Sequence, residues 1–102
     1  MKDYLVEYDP EAEYDLVMLR NRLIEIGNFG HALEYLRNLK REVAELSYRA
    51  GMLPESRFQM PKLYHPEAKI MPVCRRKLTV IFHIEGNYVI VDKILPSTMV
   101  TY

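Results

Sequence analysis

Leu78-Thr79-Val80-Ile81-Phe82-His83-Ile84-Glu85-Gly86-Asn87-Tyr88-Val89-Ile90-Val91-Asp92-Lys93-Ile94-Leu95 reads as two long strands around a two-residue loop. Apolar residues alternate along it. Leu78, Val80, Phe82 and Ile84 point one way, and Thr79, Ile81 and His83 the other. Gly86-Asn87 places glycine first, as a type II′ turn requires, and so pairs Glu85 with Tyr88. Counting outward puts Phe82 opposite Val91, Val80 opposite Lys93 and Leu78 opposite Leu95. The other face then carries Thr79, Ile81, His83, Ile90, Asp92 and Ile94, a set apolar enough for something to cover part of it, although singly exposed β-branched residues are also common on strands.

A two-stranded ribbon is marginal by itself, so the rest of the chain must cover it. Ile70 to Val73 adds a brief strand, which Pro72 confines to an edge. Tyr4 to Tyr8 is another short strand, ended by Asp9-Pro10-Glu11. Asp9 can cap a helix, Pro10 suits its first position, and Glu11, Glu13 and Asp15 complement its dipole. Ala12, Leu16, Leu19, Leu23 and Ile26 form one apolar stripe, and Gly27 is expected to stop the helix in the left-handed conformation. Asn28 caps a second helix with the stripe Ala32, Leu36, Leu39, Val43, Leu46 and Ala50, closed by Gly51. Two such helices across so short a turn lie antiparallel. A dimerising coiled coil is the competing use of the stripes, but the apolar strands need a helical face. Residues 52–68, with Pro54, Pro61 and Pro66, read as a loop anchored by Phe58, Leu63 and Tyr64. The expected fold is α+β, βααβββ, with a helical hairpin on one face of a small, mainly antiparallel sheet. One domain should take up residues 1–102.

Hydrophobic residues at 49% and charged residues at 27% exclude the composition of a disordered chain. No stretch is apolar for the roughly 20 residues a membrane span needs, and Met1-Lys2-Asp3-Tyr4 opens no signal peptide. Cys74 is the only cysteine, so an intrachain disulfide is excluded and a reducing cytoplasm is the expected setting. Arg75, Arg76 and Lys77 would depress its pKa, which makes a reactive thiol one reading; a small strand residue is the plainer one. The formal net charge is zero, but residues 1–51 carry seven Lys/Arg against ten Asp/Glu, and residues 52–102 seven against four. The chain is acidic in front and basic behind.

Familiar enzyme signatures are missing. His31, His65 and His83 have no Cys, Asp or Glu at metal-ligand spacing, and no HExxH, paired CxxC, P-loop or GxGxxG occurs. No metal and no cofactor is therefore expected. His83, between apolar strand neighbours, reads as a structural histidine. What stands out is a basic cluster at one end of the sheet: Arg75, Arg76 and Lys77 at the start of the third strand, Lys93 in the fourth, and Arg57, Lys62 and Lys69 before them. Such a cluster suits contact with an anionic surface.

The order of elements, the opening Tyr4-Leu5-Val6-Glu7-Tyr8-Asp9-Pro10-Glu11-Ala12 and the stretch from Val80 to Leu95 together resemble the RelE/ParE superfamily of bacterial type II toxins, the ParE-like members most. Where those members carry a His, a small residue, an Arg and a Met, this chain has Pro96-Ser97-Thr98-Met99, keeping only the small residue and Met99. RelE-like members that cut ribosome-bound mRNA use basic residues in the third strand and after the fourth, with a late tyrosine. Here Thr79 and Ser97 fall at the basic positions and Tyr102 near the tyrosine. The resemblance implies a cytoplasmic toxin, of the plasmid-stabilisation type, that binds a macromolecular target such as DNA gyrase. The alternatives are a ribosome-dependent mRNA endoribonuclease, with Arg75, Arg76 and Tyr102 as catalytic candidates, and a dimerising module that keeps the fold without toxicity. Target contact falls to Arg75, Arg76, Lys77, Lys93 and Tyr102. A cognate antitoxin, in a homodimeric or hetero-oligomeric complex, is expected to cover Ile81, His83, Ile90 and Ile94 and the grooves beside the helical hairpin.

Overall fold

A computed structural model describes residues 3–101 of the chain. Strand β1 (Leu5–Tyr8) leads into helices α1 (Pro10–Ile26), α2 (Phe29–Ala44) and the short α3 (Leu46–Arg49), followed by strands β2 (Lys69–Val73), β3 (Leu78–Glu85) and β4 (Tyr88–Pro96). The sheet order is β1-β4-β3-β2. β2, β3 and β4 are antiparallel neighbours, while β1 runs parallel to β4, so the sheet is mixed. β2 is an edge strand, as Pro72 required.

Local sequence explains the helix starts. The Asp9 carboxylate accepts the Glu11 N–H at 3.0 Å, and the Asn28 side chain accepts the His31 N–H at 2.9 Å. The helix ends differ from expectation. Gly27 has φ −140° and passes its N–H to the Leu23 carbonyl, so it is not left-handed. The second stripe is also broken: α2 ends at Ala44, and Glu45 turns the chain into α3 and a 3-10 turn over Ala50–Met52. Leu46 and Ala50 nevertheless stay in the core. Gly51 lies in that turn because the Tyr4 ring occupies the space beside it; a Cβ there would stand 3.3 Å from the Tyr4 hydroxyl.

The main core lies between the helices and one sheet face, and contains Ala12, Leu36, Leu39, Val43 and Leu46 against Val80, Phe82, Val89, Val91 and Ile94. Gly86 has φ 57° and Asn87 is not among the positive-φ residues, which fits the type II′ loop; Glu85 pairs with Tyr88 and Phe82 with Val91 as expected. Beyond that pair the register is corrected by a bulge. Ile81 faces Lys93, Val80 faces Ile94 rather than Lys93, and Leu78 faces Pro96 rather than Leu95. Two residues, Asp92 and Lys93, therefore separate the core residues Val91 and Ile94, and Ile94 moves to the helix side.

The second face of the sheet is covered by the chain itself. Met60, Ala68, Leu95 and Val100 bury Ile81, with Tyr64 and Ile70 at the margin. Within the 52–68 loop a 3-10 turn at Met60–Leu63 supplies the anchors Met60 and Pro61, whereas Leu63 is 77% exposed and anchors nothing.

Candidate functional site

Arg75, Arg76 and Lys77 do not start β3; with Cys74 they make the turn that joins β2 to β3. Cys74, Arg75 and Arg76 have φ values of 53°, 57° and 67°, three consecutive left-handed residues with side chains. Each such residue costs roughly 1–2 kcal/mol relative to ordinary backbone. Strain of this kind survives only where the surroundings over-determine it, and it gathers at functional segments. Here the Lys77 N–H reaches the Cys74 carbonyl at 3.1 Å, and the Cys74 N–H donates to Glu42 Oε2 of α2 at 3.0 Å. Arg75, Arg76 and Lys77 are left exposed at the tip.

Between this turn and α2 lies an open cleft of about 390 Å³, lined by Tyr35, Asn38, Glu42, Cys74, Arg75 and Lys77. Its floor is not acid–base machinery. Burial first, then the hydrogen bond with Cys74, pushes Tyr35 up to about 12. Burial also raises the Cys74 thiol, against the expectation that neighbouring cations would depress it. Cys74 is a half-buried turn residue, not an activated nucleophile.

The chain after β4 returns to the same turn. The Ser97 N–H donates to the Lys77 carbonyl at 3.0 Å, and the Thr79 and Ser97 hydroxyls bond at 2.8 Å. Arg76, Phe58, Ser97 and Thr101 border a shallow groove on the other side of the turn. Tyr102 lies outside the described residues.

Two of the other basic residues are engaged elsewhere. Lys93 is 18% exposed and bonds Asp15 of α1 at 2.9 Å, with Glu11 at 3.8 Å; the Asp15 bond holds its ammonium above the usual lysine range. Lys69 donates to the carbonyls of Ala50 and Leu53 at 3.2 and 2.6 Å, closing the end of the helical segment. Lys93 and Lys69 thus drop out of the expected cluster, and Arg75, Arg76 and Lys77 stay together at the tip of the turn.

The four residues expected beneath an antitoxin are also placed differently. Ile81 and Ile94 are interior, one in each core, His83 is 6% exposed, and Ile90 is half-buried. Six of the exposed large apolar side chains gather on the helical hairpin, while Leu5, Met52, Leu63 and Met99 are exposed elsewhere. Tyr14, Val17 and Met18 stand on the side of α1 away from the core stripe, and Ile26, Phe29 and Leu33 continue around the hairpin turn. A helix apolar on two sides has a second surface to cover.

Linear spacing missed one constellation. His83 Nδ1 lies 2.7 Å from Asp92 Oδ2, its Nε2 lies 3.3 Å from Glu85 Oε1, and the His65 ring stacks on it with centroids 3.8 Å apart. Burial pushes the Asp92 carboxyl up, while the His83 hydrogen bond works against the rise. His65 is 18 residues away in sequence, and Asp92 reaches His83 only across β3 and β4; the only legible sign was the His83-Ile84-Glu85 alternation.

No family model matches the chain, and no curated protein does. Among solved structures, a chain of the "Chromosomal ParDE TA system from P. aeruginosa" shares its fold with a TM-score of 0.76, covering 91% of this chain and 95% of that one at 14% sequence identity.

Proposed function

We propose that this chain is the toxin of a type II toxin–antitoxin pair, with ParE-like action on a macromolecular target in the cytoplasm. The observation that carries the reading is a fold shared from end to end with a chain of a ParDE system, beside a sequence that resembles the same superfamily. The Arg75–Lys77 turn, with the residues after β4 and Tyr102, is the target-contact surface, and DNA gyrase is the first target to test. Lys93 serves the fold through Asp15 rather than the target. The antitoxin lies on the outer side of α1 and the hairpin turn, where Tyr14, Met18 and Phe29 offer apolar contacts to an amphipathic segment. Ile81 contributes less, because Met60, Ala68, Leu95 and Val100 already bury it.

Target binding is favoured over mRNA cleavage by the Thr79–Ser97 pair. Two neutral hydroxyls that satisfy each other stand where the nuclease members hold positive charge, and a phosphodiester transition state needs that charge. The test is induction of the full chain in a bacterial host, alone and with the product of the adjacent short reading frame. Growth arrest with filamentation and DNA damage, relieved by that second product, is the expected result. Ribosome-dependent mRNA cleavage lost in Arg75→Ala/Arg76→Ala would favour the nuclease reading. Unimpaired growth would overturn the toxin assignment and leave a binding module.

A further inference from the structure

Four polar side chains with no part in the basic turn or the helical face meet on the second side of the sheet. His83 and Glu85 are two apart on β3 and share a face. His83 Nδ1 is held by Asp92 at 2.7 Å. Its Nε2 is closed off from solvent and has no hydrogen-bond partner among the described residues; Glu85 Oε1, 3.3 Å away, is out of alignment for one. His65 lies over the ring in a parallel stack, with 2° between the planes. One ligand atom from each of His65, His83 and Glu85 lies within 4.8 Å of the others.

A buried ring nitrogen without a partner is costly, and folded chains rarely leave one. The ionised Asp92 carboxylate favours one tautomer: it accepts a hydrogen bond from Nδ1–H, which leaves the lone pair on Nε2, facing Glu85 and His65. A carboxylate behind a histidine whose other nitrogen is free is the arrangement that orients metal-binding imidazoles. We propose that His65, His83 and Glu85 bind a divalent transition-metal ion of the zinc class, with Asp92 as the positioning residue. Two imidazoles and one carboxylate suit such an ion better than magnesium or calcium, which prefer all-oxygen shells. Three protein ligands leave a fourth position, and Glu85, 65% exposed, opens it to water.

The geometry also says what must move. Ligand atoms around a tetrahedral zinc ion are about 3.3 Å apart, so the three groups have to close up. Parallel stacked rings direct their lone pairs side by side rather than to one point. His83, Glu85 and Asp92 are fixed on the sheet, whereas His65 sits on the segment before β2, where its Nδ1 accepts only the exposed Glu67 N–H at 3.1 Å. Rotation of His65 out of the stack gives up that bond, which water replaces. The rival occupant of Nε2 is a proton shared toward Glu85. The inference does not depend on the toxin reading.

Chelator-treated full-length protein should be titrated with zinc chloride, and with cobalt(II) for its visible spectrum. One ion per chain, a higher thermal midpoint and the absorption bands of a low-coordinate cobalt site are expected. His65→Ala and Glu85→Gln, both at solvent-accessible positions, should each weaken binding roughly 10-fold or more, and Asp92→Asn about 10–100-fold with partial rescue by Asp92→Glu. His31→Ala should leave affinity unchanged. Absence of stoichiometric binding, or equal affinity in wild type, His65→Ala and Glu85→Gln, would overturn the site and leave the proton as the occupant.

Discussion

Asp15 shows how much a single half-buried carboxylate can hold. β1 ends at Tyr8 opposite Val91, so β4 continues past its end, and there Asp15 Oδ2 accepts the Ile94 N–H at 3.0 Å while Oδ1 meets Lys93. Asp15→Ala removes both bonds and leaves a half-buried ammonium without its partner, so unfolding by urea should show a loss of about 1–3 kcal/mol. Asp15→Asn keeps an acceptor for Ile94 and should lose less. A midpoint in Asp15→Ala equal to that of the wild type would show the pair to be incidental. The folded-state pKa of Lys93 is raised above its ordinary 10.5. Its contribution is therefore complete below that value and fades as pH rises through the higher, folded one. The wild type should lose stability at strongly alkaline pH faster than Asp15→Asn does.

At the scale of elements, the β2–β3 connection is the segment where local preference and structure conflict. Three successive residues with side chains sit at positive φ, although glycine is the residue that accepts this conformation freely. Arg76→Gly should therefore raise stability by about 0.5–1 kcal/mol, the relief of left-handed strain less the extra freedom glycine has when unfolded. Arg76→Ala should give no such gain, since a Cβ remains. Equal thermal midpoints for the two variants would mean that the strain is absent in solution. If the turn is the contact surface, both should lose toxicity in the growth assay despite their different stabilities. The bulge at Asp92 is the second element-level device: by adding one residue between Val91 and Ile94 it turns Ile94 inward and leaves Asp92 beside His83.

Across the whole molecule, both faces of the sheet carry a core built from its own chain, and the outer hairpin surface groups six of the exposed large apolar residues. No helix among the described residues is long and apolar enough to cross a membrane. If the antitoxin seats on the hairpin as proposed, this is the surface it covers. Tyr14→Glu with Met18→Lys alters residues that are 62% and 50% exposed. The double variant should stay within about 0.5 kcal/mol of the wild type in stability. It should also fail to co-purify with the adjacent reading frame's product and escape neutralisation in the growth assay. Retained co-purification would move the antitoxin to another face.

Period-two alternation around Gly86-Asn87, the stripes of α1 and α2, and the caps Asp9 and Asn28 are local signals, and from them the chain's own residues determined the βααβββ order and the face that Phe82 buries. These are properties of neighbours within a few positions, which is why they could be read in one dimension. The bulge was invisible because either register keeps apolar residues inward over part of β4, and only packing against α1 selects between them. The burial of Ile81 by Met60 and Val100, the capture of Lys93 by Asp15 and the meeting of His65 with His83 join segments far apart along the chain. Tertiary structure alone decided these, because such contacts depend on how the elements are stacked and not on what any one of them prefers by itself.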